Sequence, residues 1–316
     1  MTNNLLSSEP KIIIDSKKYD WNHVFIIDNP VMYIVMIMIL SKYKINENRV
    51  IVTYLRKGAF LTNSVFPVID YNEFWFDKYI TKLFRISLKG SRILNKVTKK
   101  KQNFILYTNQ AHLALENILD SRYCEGHVYI EEGQISYWLT ELFSFNSTTF
   151  FGRLKQYYLD KRFGKYKNFY RDDAHAFIGM LPDVFPLAPK EKRFILNNYD
   201  SLKKYYKPTL VGIKAIGLTC SERRLKPNQW EAMLKALVDK MPKGGVIKLH
   251  PSFYNDFTKI ESMLKKITSG NIELCDNDVI IELEMLYESK ILIGSLTSLS
   301  KYAEAFGSKF VYIDLY

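Results

Sequence analysis

A chain of 316 residues that is 47% hydrophobic and 15% aromatic can bury a substantial core, and its length suits two domains better than one. Three cysteines (Cys124, Cys220, Cys275) without close spacing argue against a disulfide framework and a zinc site, and the longest apolar run, residues 31–40, is too short to span a membrane. The formal charge of +12 favours an anionic partner without choosing among nucleic acid, an anionic membrane surface and a phosphate-bearing ligand. The opening MTNNLLSSEPKIIID lacks the basic-then-apolar order of a secretory signal, so the cytoplasm is the expected compartment.

In chain order, VFIID (24–28) reads as a strand, followed by a helix opened by Pro30 and a second strand, VIVTYL (50–55). NFILYT (103–108), a helix through AHLALENIL (111–119), strand HVYIE (127–131) and a helix from Gln134 continue the alternation. From residue 214 the pattern is cleaner. Strands KAIGLT (214–219), VIKLH (246–250), IELC (272–275), KILIG (290–294) and KFVYID (309–314) alternate with helices in 227–241, 258–267, 280–288 and 298–307. Strand and helix alternating at this spacing imply two doubly wound parallel α/β sheets. Joined near 190–212, they divide the chain into an N-terminal Rossmann-like domain, 1–200, and a C-terminal one, 201–316. The positive charge concentrates in 89–102 and in 152–171, where Lys and Arg interleave with Tyr and Phe, a texture that suits base stacking, a bilayer interface or a plain solvated face.

In open parallel sheets ligands bind beyond the carboxyl ends of the strands. Four polar clusters stand at such ends: Asp28-Asn29-Pro30, Glu131-Glu132-Gly133, Lys248-Leu249-His250-Pro251 and Gly294-Ser295-Leu296-Thr297-Ser298. Hydroxyls at a helix start hold phosphate oxygens, Lys248 and His250 can neutralise them, and a carboxylate can take a proton from an attacking hydroxyl. Each has a plainer reading, as a turn, a His-Pro punctuation or an N-cap; their joint placement is what favours chemistry.

The motifs YIEEG (129–133), KLHP (248–251) and SLTS (295–298), in that order, resemble those of bacterial GT-B sialyltransferases, in particular glycosyltransferase family 52. IIDNPVM (26–32) is similar to that family's opening strand and turn, with Asn29 where threonine is usual. The resemblance implies two Rossmann-like domains facing across a cleft and an inverting transfer of sialic acid from CMP-sialic acid to a terminal galactose of a capsular or lipid-linked oligosaccharide, through an α2,3 linkage. It implies Glu131 as general base and His250 as the group that steadies the departing phosphate. Asn29, Gly133, Lys248, Pro251, Glu282, Ser295, Thr297 and Ser298 fall to the donor, Glu282 at the ribose hydroxyls. The phosphate frame stays open between Ser295 and Thr297-Ser298. No essential metal and no cofactor beyond the CMP-sugar are expected; peripheral contact with an anionic inner membrane face is expected through the basic runs, and homodimerisation stays open.

Other readings compete. Asp276-Asn277-Asp278 fits an Asp-x-Asp metal pattern, but Asp278 also suits an N-cap of the next helix. Cys220 suits a small buried filler, and Met32, Met36 and Met38 an apolar core. A GT-B transferase with another sugar-nucleotide donor, or a basic nucleic-acid-binding protein, are the alternative functions; the second leaves Glu131 and His250 without a task.

Overall fold

The computed structural model describes residues 9–55, 61, 66–69, 82–110, 113–137, 170, 171, 173–241, 244–268 and 270–315. The main division between two compact units falls between Ser201 and Leu202. Most of the basic run 152–171 lies outside the described residues.

The first unit contains strands β1 (Asn22–Ile26), β2 (Val50–Thr53), β3 (Phe104–Thr108), β4 (Cys124–Ile130), β5 (Ala176–Gly179) and β6 (Arg193–Ile195), with helices α1 (Lys11–Lys18), α2 (Pro30–Tyr43), α3 (Lys82–Val97) and α4 (Leu113–Leu119). Its strands run β2-β1-β3-β4-β5-β6, every pair parallel. All residues of β1, β3 and β5 are buried, as expected for strands covered on both faces. The long apolar run becomes α2, a helix whose residues from Val31 to Leu40 are all buried, Met32, Met36 and Met38 among them. Asn29 starts it as N-cap, its side chain accepting the Met32 N–H at 3.0 Å, Pro30 stands in the first turn, and Lys44 ends it at a left-handed φ of 51°. Helix α3 takes up most of the basic run 89–102; Ile93 and Val97 turn inward, while Lys96, Lys99, Lys100 and Lys101 are exposed.

The second unit contains β7 (Ala215–Leu218), β8 (Gly245–Lys248), β9 (Ile272–Leu274), β10 (Ile291–Gly294) and β11 (Lys309–Tyr312), with α5 (Trp230–Lys240), α6 (Phe257–Thr268), α7 (Ile281–Tyr287) and α8 (Ser298–Ala305). The order is β11-β10-β7-β8-β9, again all parallel. Its core joins Trp230, Leu234 and Leu237 of α5 to Ile247, Phe253, Ile260 and Leu264, with the Trp230 ring edge-on to Phe253 at 5.2 Å. Cys220 is the small buried filler expected, 4.0 Å from the Met233 sulfur.

Two buried charges hold the segment 206–213 to this unit. The Glu284 carboxylate accepts from the Tyr206 hydroxyl (2.6 Å), both Thr209 donors (2.8 and 3.1 Å) and the Leu210 N–H (3.0 Å). Lys290 Nζ donates to the carbonyls of Leu210 (2.7 Å) and Ile213 (2.9 Å) and to Glu288 (2.7 Å). Each charge meets several partners, the condition under which an ion is tolerated inside a protein.

In the first unit, His23 on β1 is buried between α1 and β3. Ser16 Oγ donates to the Ile13 carbonyl at 2.6 Å and takes the His23 Nε2 proton at 3.2 Å, leaving Nδ1 to accept from the Tyr107 hydroxyl at 2.9 Å. Burial, reinforced by the Lys17 charge, pushes the imidazole down from 6.5 to about 4. The unfolded chain therefore binds a proton at His23 below pH 6.5 that the folded protein refuses until about pH 4. This contribution to stability is intact above 6.5 and is lost as pH falls across that window, at about 1.4 kcal/mol per pH unit. Urea unfolding measured across the window should show His23→Gln with a shallower pH slope, by close to one proton; an unchanged slope would exclude this assignment.

Candidate active site

At the carboxyl edge of the first sheet, β4 runs directly into Glu131, whose backbone N–H still donates to the Ile178 carbonyl at 2.9 Å. The Glu131 side chain has 0% exposure. One carboxylate oxygen accepts from the Tyr137 hydroxyl and the other from the Met180 backbone N–H at 2.6 Å. Gly179 makes room for this: a Cβ there would lie 2.8 Å from the second carboxylate oxygen and 2.6 Å from Val184. Glu132 points elsewhere and is half-buried, its carboxylate accepting from the Asn109 amide at the end of β3. The Glu132 N–H donates to Ser136 Oγ at 3.0 Å, and Gly133 turns the chain with φ 111°, where a side chain would be strained. From there Gln134–Tyr137 forms a single 3-10 turn in place of the expected helix start; residues 138–169 lie outside the described residues.

Asp28 accepts the Leu55 N–H at 2.7 Å, and Asn29 is occupied as the α2 cap, so both shape the first strand-to-helix turn. Asn109, Ser136, Tyr137 and Gly179 are site residues that the motif reading did not name. Asn109 follows a predicted strand and was reachable by the strand-end rule; the other three touch Glu131 or its turn only through folding.

At the carboxyl edge of the second sheet, Thr219 Oγ1 accepts the His250 N–H at 2.7 Å and ties the ends of β7 and β8 together. Pro251 opens the short 3-10 segment Pro251–Asp256, with His250 as its N-cap. His250 Nδ1 accepts the Ser252 N–H at 3.2 Å and lies 2.9 Å from Ser252 Oγ, which itself accepts the Glu222 N–H at 3.0 Å. With Nδ1 an acceptor, the neutral imidazole carries its proton on Nε2, and the side chain is exposed. Lys248 donates to the Asp276 carbonyl at 2.6 Å, and burial lowers its pKa.

Glu282, in the first turn of α7, is 7% exposed, and burial raises it to about 7 against the opposing pull of its own backbone amide and of Lys248. Ser295 is buried, Thr297 Oγ1 caps α8 by accepting the Leu299 N–H at 3.2 Å, and Ser298 is the half-buried first residue of that helix. Asp278 is not the cap expected of it: α7 starts at Ile281 with Ile280 in the cap position and no side-chain cap, because the loop runs two residues further before turning helical. Among the described residues no group of three or more His, Cys, Asp or Glu is placed to hold a metal ion, and no helix is long and apolar enough to cross a membrane.

What this edge can do follows from its chemistry. It presents an imidazole N–H donor, an ammonium, hydroxyls and helix-start amides, which suit an anion, together with one carboxyl near neutrality. It also lies at the point where the strand order reverses, between β7 and β10, the usual ligand crevice of such sheets.

No protein-family model matches the chain, and no curated protein matches it by sequence. Solved structures do match. They include a Staphylococcus aureus MnaA–UDP co-structure, 14% identical with a TM-score of 0.54 over 92% of this chain and 78% of that one. UDP-GlcNAc 2-epimerase from Neisseria meningitidis bound to UDP-GlcNAc is 13% identical, TM-score 0.50, over 92% and 82%. UDP-N-acetylglucosamine 2-epimerase from Rickettsia bellii is 12% identical, TM-score 0.50, over 93% and 79%. At these identities the likeness defines the fold, an α/β GT-B fold of two Rossmann-like domains with parallel sheets.

These findings correct the family resemblance. The three structures above are a UDP co-structure and two UDP-GlcNAc 2-epimerases, and no family model supports glycosyltransferase family 52. The assignment to that family is withdrawn, and with it CMP-sialic acid and a galactose-terminated acceptor as partners. The physical reason is that a carboxylate after a strand, a His-Pro turn and hydroxyls at a helix start are what the carboxyl edge of any open parallel sheet tends to carry, so motifs of two to four residues track the edge rather than the nucleotide.

The reversal point yields a direct test of the packing. A Cβ at Gly294 would lie 2.7 Å from the Leu218 carbonyl oxygen, a backbone atom that cannot swing aside. Gly294→Ala should therefore lower stability by about 1–3 kcal/mol in urea unfolding, whereas Gly307→Ala, with open space around its Cβ but a φ of 70°, should lose about 1 kcal/mol through backbone strain alone.

Proposed function

We propose that the chain is a glycosyltransferase of GT-B architecture that uses a nucleotide-sugar donor other than CMP-sialic acid, with uridine diphosphate sugars as the favoured class. The observation that carries this reading is the His250 imidazole, its proton directed to Nε2 by Ser252, on the same sheet edge as Lys248 and the start of α8. A donor N–H, a cation and helix amides suit a pyrophosphate that gains charge as the sugar leaves. The names of the similar structures favour uridine as the base.

In this reading the second unit holds the nucleotide. His250, Lys248 and Ser298 meet phosphate oxygens, with Ser295 behind them, and Glu282 accepts from sugar hydroxyls. Glu131 of the first unit is the proton acceptor. An acceptor hydroxyl attacks the anomeric carbon, its proton ends on the carboxylate, and the bond to the phosphate oxygen breaks with its electron pair, releasing UDP.

A second reading has one specific support, that the three structures above are of a UDP complex and two UDP-GlcNAc 2-epimerases: the same edge would then bind UDP-GlcNAc for inversion within the sugar. One experiment separates them. The purified chain is incubated with UDP-GlcNAc, UDP-glucose, UDP-galactose and CMP-sialic acid, and free nucleotide and epimerised sugar are measured. Transfer predicts UDP release that rises with added acceptor; epimerisation predicts a new sugar nucleotide without release. Calorimetry should show UDP binding that His250→Ala weakens by about 10- to 100-fold, the worth of a charge-assisted hydrogen bond. Tighter binding of CMP than of UDP, or undiminished UDP affinity in His250→Ala, would reject the donor site described.

A further inference from the structure

Glu131 presents a difficulty for the proton transfer just described. It has no exposed surface, whereas an acceptor hydroxyl arrives from solvent. Of the two hydrogen bonds described on its carboxylate, the one from the Met180 backbone amide joins a group that does not exchange protons during turnover. The other, from the Tyr137 phenol, joins a group that both releases and accepts a proton. Tyr137 is only half-buried, so it has surface where Glu131 has none.

Its position is also set independently of Glu131. The Gly133 carbonyl accepts the Ser136 N–H at 3.1 Å, and the Ser136 carbonyl accepts the Phe185 N–H at 2.7 Å. Phe185 is buried at a φ of 52°, a conformation costly for a bulky residue and kept only where the surroundings impose it. Its ring packs against Phe177 and Tyr170 at 5.5 Å each. The turn that carries Tyr137 is thereby held from the β5 side.

We propose that Tyr137 is a further catalytic residue that relays the acceptor's proton to Glu131. The acceptor hydroxyl gives its proton to the phenol oxygen as the phenol's own proton passes to the carboxylate. The acceptor oxygen's electron pair forms the bond to the anomeric carbon, and the bond from that carbon to the phosphate oxygen breaks with its pair. The phenol is unchanged at the end, UDP departs, and Glu131 carries the proton until it returns through the phenol to solvent. The relay rests on the transferase reading above.

The test uses the full chain, with UDP-GlcNAc as donor and water as acceptor, and follows UDP release. Tyr137→Phe and Glu131→Gln should each lower kcat by about 10²-fold or more, with UDP affinity unchanged by calorimetry, and the double variant should lose no more than either alone because the two groups act in series. On the unaltered protein, rates in mixtures of H₂O and D₂O should curve with deuterium fraction, since two protons move together. A straight dependence overturns the relay without recourse to any variant, so misfolding cannot hide the answer. Retention of kcat in Tyr137→Phe while Glu131→Gln loses it would mean direct transfer. Loss in Tyr199→Phe instead would assign the relay to Tyr199, a phenol whose pKa is raised by burial and, after that, by the Glu131 charge. If the unaltered protein releases UDP and neither Tyr137→Phe nor Glu131→Gln is impaired, the relay fails while the sugar-nucleotide reading stands; if it neither binds nor releases UDP, that reading fails and the relay with it.

Discussion

Every strand pair in both sheets is parallel, and this single constraint arranges the rest of the molecule. Parallel neighbours need a crossover to return the chain to the starting edge, so all strands of a sheet end on one edge and each is followed there by a turn. Polar side chains that would be scattered in an antiparallel sheet are gathered: Asn29, Asn109, Glu131 and Glu132 on the first unit, Thr219, His250, Asp276 and Ser295 on the second. The same winding buries the inner strands on both faces, which is why residues with nothing to do but pack, such as Phe25, Leu106 and Ile293, fill their middles while chemistry is confined to their ends.

Burial so complete makes any charge inside it demanding, and the fold meets that demand in two different ways. Glu284 and Lys290 are each surrounded by several hydrogen-bonding partners, most of them backbone groups of the 206–213 segment. Removing one member of such an arrangement leaves the others desolvated and unmet, at a cost of about 1–3 kcal/mol for each buried group that loses its partner. Glu282 is treated otherwise: burial acts on it more strongly than its own amide and the Lys248 charge, and the carboxyl is left near the middle of the physiological range. Groups of the first kind hold structure; a group of the second kind can change its proton during work.

Glycine and left-handed residues mark the places where packing and site geometry compete for the same space. Gly294 lets β10 approach the Leu218 carbonyl at the strand-order reversal, and Gly179 lets the Glu131 carboxylate tuck under the β5 end. Gly133 carries the turn between the carboxylate pair and Tyr137. Phe185 does the same job without glycine's freedom, held by the aromatic cluster around it.

The alternation of apolar runs with helix-period segments was enough to read two doubly wound sheets and all five strands of the second unit, because burial on both faces forces that pattern into the chain itself. The strand-end rule then reached Glu131, Lys248, His250 and Ser295 from spacing alone. Helices α1 and α3 and the short strands β5 and β6 escaped it. KIIIDSKK and AFIG are too short for their period to show, and α3 was legible only as a run of charge. The motifs also led to the wrong sugar nucleotide, since hydroxyls, imidazole and carboxylates at a strand end answer to phosphate and hydroxyl groups that all such donors share. What only the tertiary structure decided is which atoms meet around the first carboxylate: Glu131 is closed off from solvent, with one oxygen accepting from the Tyr137 phenol and the other from the Met180 amide. Those contacts reach across 6 and 49 residues and need the space that Gly179 leaves beside the carboxylate, and neither leaves a local trace in the chain.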